Sequence, residues 1–144
     1  AALQDYDALL QAAPDDVESL NNVAFMLAED MKKPKDGLVY AERAIKILQT
    51  KAVDAVYVNN GNMYDTYGWI KFLNGDPDGA IRERKRANQI QPLAITYCHL
   101  ARVYKAQKQA DDARQAAREA VRLATEGKDP MLATAQALLK ELGG

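Results

Sequence analysis

Two residue types that often carry chemistry are nearly absent from this sequence. It has one cysteine, Cys98, and one histidine, His99. A single cysteine excludes a disulfide within the chain, and a single histidine excludes a metal site built mainly from histidines. No apolar run approaches the roughly 18 residues that indicate a transmembrane helix. We therefore expect neither a metal cofactor nor insertion into a membrane.

An excess of basic charge is also lacking. Lys and Arg together number 19 and Asp and Glu together number 20, which gives a net charge of −1. Nucleic-acid-binding domains normally present a basic patch and have a high isoelectric point. The sequence therefore predicts no nucleic-acid partner.

Residues that interrupt helices are few, and alanine is abundant. There are 8 glycines and 5 prolines against 25 alanines, and alanine has the highest helix propensity of all residues. Apolar residues recur every three or four positions, as in Leu20, Val23, Ala24 and Leu27. No long segment alternates with the two-residue period of a strand. The sequence therefore predicts an all-α fold of about eight helices, interrupted at residues 50–60.

The small residues of successive helix pairs indicate an internal repeat. Gly68 and Ala101 are 33 residues apart, and the same spacing separates Ala80 from Ala113. The equivalent positions of the first pair, Ala24 and Gly37, lie 44 and 43 residues before Gly68 and Ala80. About ten extra residues therefore separate the first pair from the second, mainly within 50–60.

The repeating segments resemble the tetratricopeptide repeat, a helix pair of about 34 residues with large and small residues at fixed positions. Lys71 and Arg84 depart from the pattern, because an aromatic residue is usual at both positions. We expect the stem of Arg84 to cover apolar surface while its guanidinium reaches water. The residues at the motif positions are Leu20, Val23, Ala24, Leu27, Gly37, Ala41 and Ala44 in the first repeat, Tyr64, Tyr67, Gly68, Lys71, Ala80, Arg84, Ala87 and Pro92 in the second, and Tyr97, Leu100, Ala101, Tyr104, Ala113, Ala117 and Ala120 in the third.

The resemblance implies an α-solenoid of antiparallel helix pairs forming a single domain, 1–144. We expect a leading half repeat at 1–14, repeats at 15–49, 61–93 and 94–127, an insertion at 50–60 and a C-terminal capping helix at 128–144. The amino-acid sequence of the repeats is similar to that of bacterial repeat proteins. Because residues 1–13 already read as a helix without a start signal, we expect a fragment of a longer protein.

A repeat array of this kind has a concave surface that binds other proteins. In this family the first helix of each repeat forms the concave wall. The resemblance therefore implies a non-catalytic scaffold that binds a peptide or protein segment in this groove. The groove residues that it predicts are Asn21, Phe25, Asp65, Trp69, Phe72, Cys98, Arg102 and Lys105.

The predicted wall is polar and aromatic at one end, aromatic in the middle and basic at the other end. It suits a peptide with an apolar anchor and an acidic group. A second interpretation stays open, since Phe25, Trp69 and Phe72 at helical spacing also fit ordinary core packing. Arg102 and Lys105 equally fit solvated surface charges.

No motif of an enzyme is present. There is no glycine-rich phosphate loop and no nucleophile motif, and the adjacent Cys98 and His99 side chains diverge by about 100° around a helix. Two alternatives to a binding groove remain. One is self-assembly through the first helix, whose Leu3, Tyr6 and Leu10 form an apolar face. The other is a regulatory arm of a larger protein.

Overall fold

The structure, a computed structural model, describes residues 2–50 and 61–144, with the side chains of 4–50 and 61–144. Apart from Thr50, the predicted insertion lies outside the described residues, and so does the side chain of Leu3. Within the described ranges the regular structure is helical throughout, and the all-α prediction is confirmed. The helices are α1 (Ala2–Ala12), α2 (Val17–Glu29), α3 (Pro34–Thr50), α4 (Asn62–Leu73), α5 (Pro77–Ile90), α6 (Ala94–Ala106), α7 (Ala110–Glu126) and α8 (Leu132–Glu141).

Side-chain caps fix where two of the helices begin. The carboxylate of Asp16 accepts a hydrogen bond from the Ser19 backbone N–H at 2.9 Å, and Asp76 accepts one from the Gly79 N–H at the same distance. Pro77 follows Asp76 as the first residue of α5, where its missing N–H removes no helical hydrogen bond. These starts follow the usual chemistry of helix N-termini.

The helices form consecutive antiparallel pairs, α2 with α3, α4 with α5 and α6 with α7, and α8 packs on α7. The first helices also contact one another along the array, α2 with α4, α4 with α6 and α6 with α8. The second helices, α3, α5 and α7, make no comparable contact with each other in the described part of the chain. The array is therefore an α-solenoid curved toward its first helices, which we call the inner layer.

Small residues bring the two helices of each pair close together. A Cβ atom added at Gly37 would lie 2.6 Å from the Ala24 carbonyl oxygen, and one added at Gly68 would lie 3.1 Å from the Ala80 carbonyl oxygen. In the third pair the corresponding Ala101 is fully buried. The repeat markers Gly37 and Gly68 are thus points at which the paired backbones approach closely.

Each turn within a pair contains a residue with a left-handed backbone. This residue is Lys32 (φ 55°) in the first pair, Gly75 (φ 80°) in the second and Lys108 (φ 60°) in the third. Only glycine adopts this conformation without a steric penalty. The turns are therefore equivalent in shape although their residues differ.

The N-terminal helix is packed against the array rather than presenting its whole apolar face. Leu10 contacts the first core cluster, around Leu20 and Ile45, and Tyr6 is half-buried. Among the described side chains of α1, the exposed leucine is Leu9, at 46%. This corrects the expected exposed face, because Leu10 turns inward.

Enlarging the closest crossing tests this packing. We expect Gly37→Ala to lower the free energy of unfolding by about 1–3 kcal/mol, because the new methyl group meets a backbone oxygen that cannot move aside. This loss occurs despite the gain of about 1 kcal/mol in helix propensity. Urea denaturation measures the change. Val39→Ala, at a position on α3 that is 64% exposed, serves as control and should stay within about 0.5 kcal/mol of wild type. An unchanged or raised stability of Gly37→Ala would contradict the close crossing.

Candidate functional site

A buried carboxylate on α4 joins helices of the second and third pairs. Asp65 is 7% exposed. Its Oδ1 accepts a hydrogen bond from Arg84 Nε on α5 at 2.9 Å, and its Oδ2 lies 3.0 Å from His99 Nδ1 on α6. One side chain therefore ties the inner helix of the second pair both to its own partner helix and to the next pair.

The partners of Asp65 keep it ionised. Burial raises the pKa of the Asp65 carboxyl, but the hydrogen bond with His99 and the nearby charge of Arg84 outweigh burial, so its pKa lies below the ordinary value of 3.8. Burial lowers the pKa of the Arg84 guanidinium, while the charge of Asp65 raises it. The two groups are thus a buried ion pair, each needing the other to remain charged.

Arg84 does not reach water, contrary to the sequence prediction. Its side chain is fully buried, and its Nη1 and Nη2 atoms have no hydrogen-bond partner among the described residues. Its guanidinium carbon lies 5.4 Å from the centre of the Trp69 ring, within the range of a cation–π contact. Asp65 and Trp69 hold the guanidinium inside the array, which is why it fails to extend outward.

Trp69 is the centre of an aromatic cluster on the inner layer. Its ring stacks on His99 with the centroids 5.2 Å apart, and it lies 5.5 Å from Phe72. The indole N–H donates a hydrogen bond to the Glu29 carboxylate on α2. Through Glu29 and His99, Trp69 contacts the inner helices of all three pairs.

Two shallow cavities flank this cluster along the inner layer. Toward the N-terminus, a cavity of about 320 Å³ is lined by Asn21 and Phe25 of α2 together with Tyr6. Toward the C-terminus, a cavity of about 400 Å³ separates Arg102 of α6 from small residues of α8, such as Ala133. The inner layer therefore carries one depression on each side of the aromatic cluster.

Residues 93–126 match the family model described as tetratricopeptide repeat. The match covers less than a quarter of the chain. It comprises α6, α7 and the turn that joins them. Among curated proteins, none matches the sequence.

Solved protein structures share the fold over nearly the whole chain. A crystal structure of MamA aligns with a TM-score of 0.70 and 21% identity, covering 98% of this chain and 84% of its own. PilW, described as a type IV pilus biogenesis factor, aligns with a TM-score of 0.74 and 20% identity, covering 96% and 64%. A thermophilic tetratricopeptide-repeat protein of Thermus thermophilus aligns with a TM-score of 0.68 and 20% identity, covering 96% of this chain and 71% of its own. At these identities the likeness establishes the fold, the α-solenoid that the repeats predicted.

The structure places six of the eight predicted groove residues in three different environments. Trp69 and Phe72 lie together in the aromatic cluster, and Asn21, Phe25 and Arg102 line the flanking cavities. Lys105 is at the surface and pairs with Glu141 of α8.

Two of the predicted groove residues are not on the accessible wall. Cys98 is fully buried in the core of the third pair, and burial raises the pKa of its thiol. Asp65 is buried in its ion pair with Arg84. Both occupy the same position of their repeats, on the edge of the inner helix that the array covers. We therefore correct the predicted wall by removing Cys98 and by placing Asp65 beneath the surface.

Sequence reasoning missed Glu29, Arg84 and His99 as parts of this site. Arg84 did give a signal, since a charged residue at a position where the repeat normally has an aromatic requires a buried counter-charge. Arg84 also belongs to a basic run, 82–86, which reads as a solvated face. In the structure that run is divided, because Glu83 and Arg84 are buried while the other three residues are not.

Breaking the buried ion pair should be costly. We expect Arg84→Met to lower the free energy of unfolding by about 3–5 kcal/mol, because it leaves the Asp65 carboxylate buried without its cation. The double variant Asp65→Asn, Arg84→Met should lose less than the sum of the single variants. Chemical denaturation of the four proteins gives the coupling. Arg82→Met, on the exposed side of α5, is the matched control. Strictly additive losses would show that the two groups do not interact.

The lowered pKa of Asp65 predicts a pH dependence. A carboxyl whose pKa is lower in the folded state stabilises the fold above its unfolded pKa, and this stabilisation is lost as pH falls through the folded pKa. The stability difference between wild type and Asp65→Asn should therefore be full at about pH 5 and shrink as pH falls below about 3.8. Urea denaturation of both proteins over this range measures it. A difference that stays constant down to about pH 2 would contradict the assignment.

Proposed function

We propose that this chain is a non-catalytic scaffold that binds a peptide or extended protein segment along its inner layer. Proteins with this fold serve in general as protein-interaction scaffolds, and the curvature of an α-solenoid provides an extended concave surface for a partner. The observation that carries the proposal is the placement of Trp69. A half-buried tryptophan at the centre of the concave face, with cavities on both sides, has the character of a binding hot spot.

The charges of the inner layer indicate the chemistry of the ligand. Asp65 is neutralised internally by Arg84, so its carboxylate presents little charge to a ligand. Arg102 is exposed and lines the same cavity as Glu141, whose pKa its charge helps to lower after the larger effect of Lys105. Two cations, Arg102 and Lys105, therefore stand beside one carboxylate. The free charge at the C-terminal end of the groove is therefore positive. A segment with an apolar side chain against Trp69 and an acidic side chain near Arg102 complements this surface.

Self-assembly through α1 stays a prediction. Among the described side chains of α1, Leu10 turns inward, Leu9 is exposed and Tyr6 is half-buried. A regulatory arm of a larger protein is compatible with the same groove, since such an arm would also act by binding a partner segment.

The only tryptophan of the chain provides a direct test. Peptides that bind the wild-type protein can be selected from a random displayed library, and binding should shift the fluorescence of Trp69. We expect Trp69→Ala to lower the affinity of these peptides for the protein about tenfold or more, because tryptophan anchors contribute much of the binding energy of an interface. Arg102→Glu should lower the affinity of those selected peptides that are acidic, because it replaces the cation proposed to face their acidic side chain. Calorimetric titration gives the affinities.

A charge reversal outside the groove is the matched control. Arg118→Glu changes an exposed arginine of α7 and should leave the affinities unchanged. Circular dichroism must first show that all three variants are folded. Peptides that bind without altering the emission of Trp69, and equally well to Trp69→Ala, would place the site elsewhere and overturn the proposal.

A further inference from the structure

A third cavity lies between adjacent helix pairs, on a different side of the array from the groove. It has a volume of about 350 Å³ and is open to solvent between α5 and α7, with α6 as its floor. The α6 residues that line it, Tyr97, Leu100 and Tyr104, lie on a different side of that helix from Arg102 and Lys105. Its lining residues are Lys85, Asn88, Tyr97, Leu100, Tyr104, Asp112, Gln115, Ala116 and Glu119.

The cavity exists because α7 presents small side chains to α6. The buried residues of α7 are all alanines, namely Ala113, Ala116, Ala117, Ala120 and Ala124. Of these alanines, Ala116 lines the cavity. Tyr97 and Tyr104 of α6, which line it from the facing helix, are half-buried. Two aromatic side chains therefore contribute to the wall of an open depression.

Several polar groups that line the cavity are uncommitted. Within the described residues, the side chains of Asp112 and Lys85 form no ion pair and no hydrogen bond. The buried Oδ1 of Asn88 likewise accepts no hydrogen bond. Glu119 is held at the rim by Arg122, with 2.8 Å between its Oε2 and Arg122 Nη2. A buried oxygen without a donor is unusual in a folded protein. The side chains of Asp112 and Lys85 and the Oδ1 of Asn88 can therefore contact a ligand without breaking an interaction among the described residues.

The chemistry of the lining favours a cation. The acceptors without a partner among the described residues are the Asp112 carboxylate and the Asn88 Oδ1. Glu119 is already paired with Arg122, and Lys85 is the one cation among the lining residues. The faces of tyrosine rings attract cations and repel anions. A guanidinium group has five N–H donors in one plane and also stacks on aromatic rings. It matches several acceptors beside tyrosines better than an ammonium does.

We propose that this cavity binds the guanidinium group of an arginine side chain presented by a protein partner. Asp112 is the principal acceptor, Tyr97 and Tyr104 supply aromatic faces, and Lys85 limits the affinity by repulsion. The site is separate from the two cavities that flank Trp69 and does not depend on the proposed groove. A partner that occupies both would contact two sides of the second and third pairs.

The probe for this site is a capped arginine, Nα-acetyl-arginine methylamide, titrated into the isotope-labelled protein and followed by NMR. We expect saturable shifts of backbone amides around Asn88, Leu100 and Ala116. Asp112→Asn should weaken binding about three- to fivefold, as for a partly exposed ion pair. Lys85→Gln should strengthen it by a similar factor, because a repulsive charge is removed.

Two controls separate this site from general charge effects. Asp111→Asn makes the same change one residue earlier, at a carboxylate that is 97% exposed and outside the cavity, and should leave binding unchanged. Nα-acetyl-glutamate methylamide should not bind. The proposal is overturned if the arginine probe causes no saturable shifts. It is also overturned if Asp111→Asn and Asp112→Asn weaken binding equally, or if the glutamate probe binds in a way that Lys85→Gln abolishes.

Discussion

The close approach of paired backbones is the constraint on which the rest of this solenoid depends. At Gly37 and Gly68 the facing carbonyl oxygens leave no room for a methyl group without displacement. This contact sets the distance between the helices of a pair and thereby the surface that each pair offers to the next. Because the crossing recurs in successive pairs, the first helices align in one layer. The groove is a consequence of that alignment rather than of any single side chain.

The Asp65–Arg84–His99 network adds a second, polar constraint on the same layer. Small residues allow helices to approach but do not by themselves fix the rotation of one pair against the next. A charged group buried between pairs tolerates little displacement, because its hydrogen bonds are lost over short distances while its desolvation remains. The network therefore holds His99, and the indole ring stacked on it, in a defined position. Trp69 is presented by a rigid support, which limits the conformational entropy lost when a partner is bound.

The fold could be predicted from the sequence because its determinants are local and repeated. Spacings such as that of Gly68 and Ala101 report directly on helix crossings, and the helical period places Trp69 and Phe72 on one face. The candidate site could be predicted only in part. Cys98 and His99 are adjacent, yet the turn of about 100° between them puts one in the core and the other against Trp69. Which of the two faces the groove depends on the rotation of α6, which is set by contacts between pairs and leaves no local pattern. The buried state of Arg84 is hidden for the same reason, since its counter-charge lies 19 residues away on another helix.

The turns within the helix pairs have a consequence for how far this chain is from its most stable form. The second pair turns at Gly75, which adopts the left-handed backbone freely, whereas the first and third turn at Lys32 and Lys108. A side chain in that region costs roughly 1–2 kcal/mol, so two of three equivalent turns carry a local strain that the array as a whole sustains. Glycine at these two turns would relieve it, although part of the gain would be offset by the greater freedom of the unfolded chain. Lys32 and Lys108 place a positive charge at the turn of the first and third pairs. Replacing them with glycine would therefore remove a surface charge as well as the backbone strain.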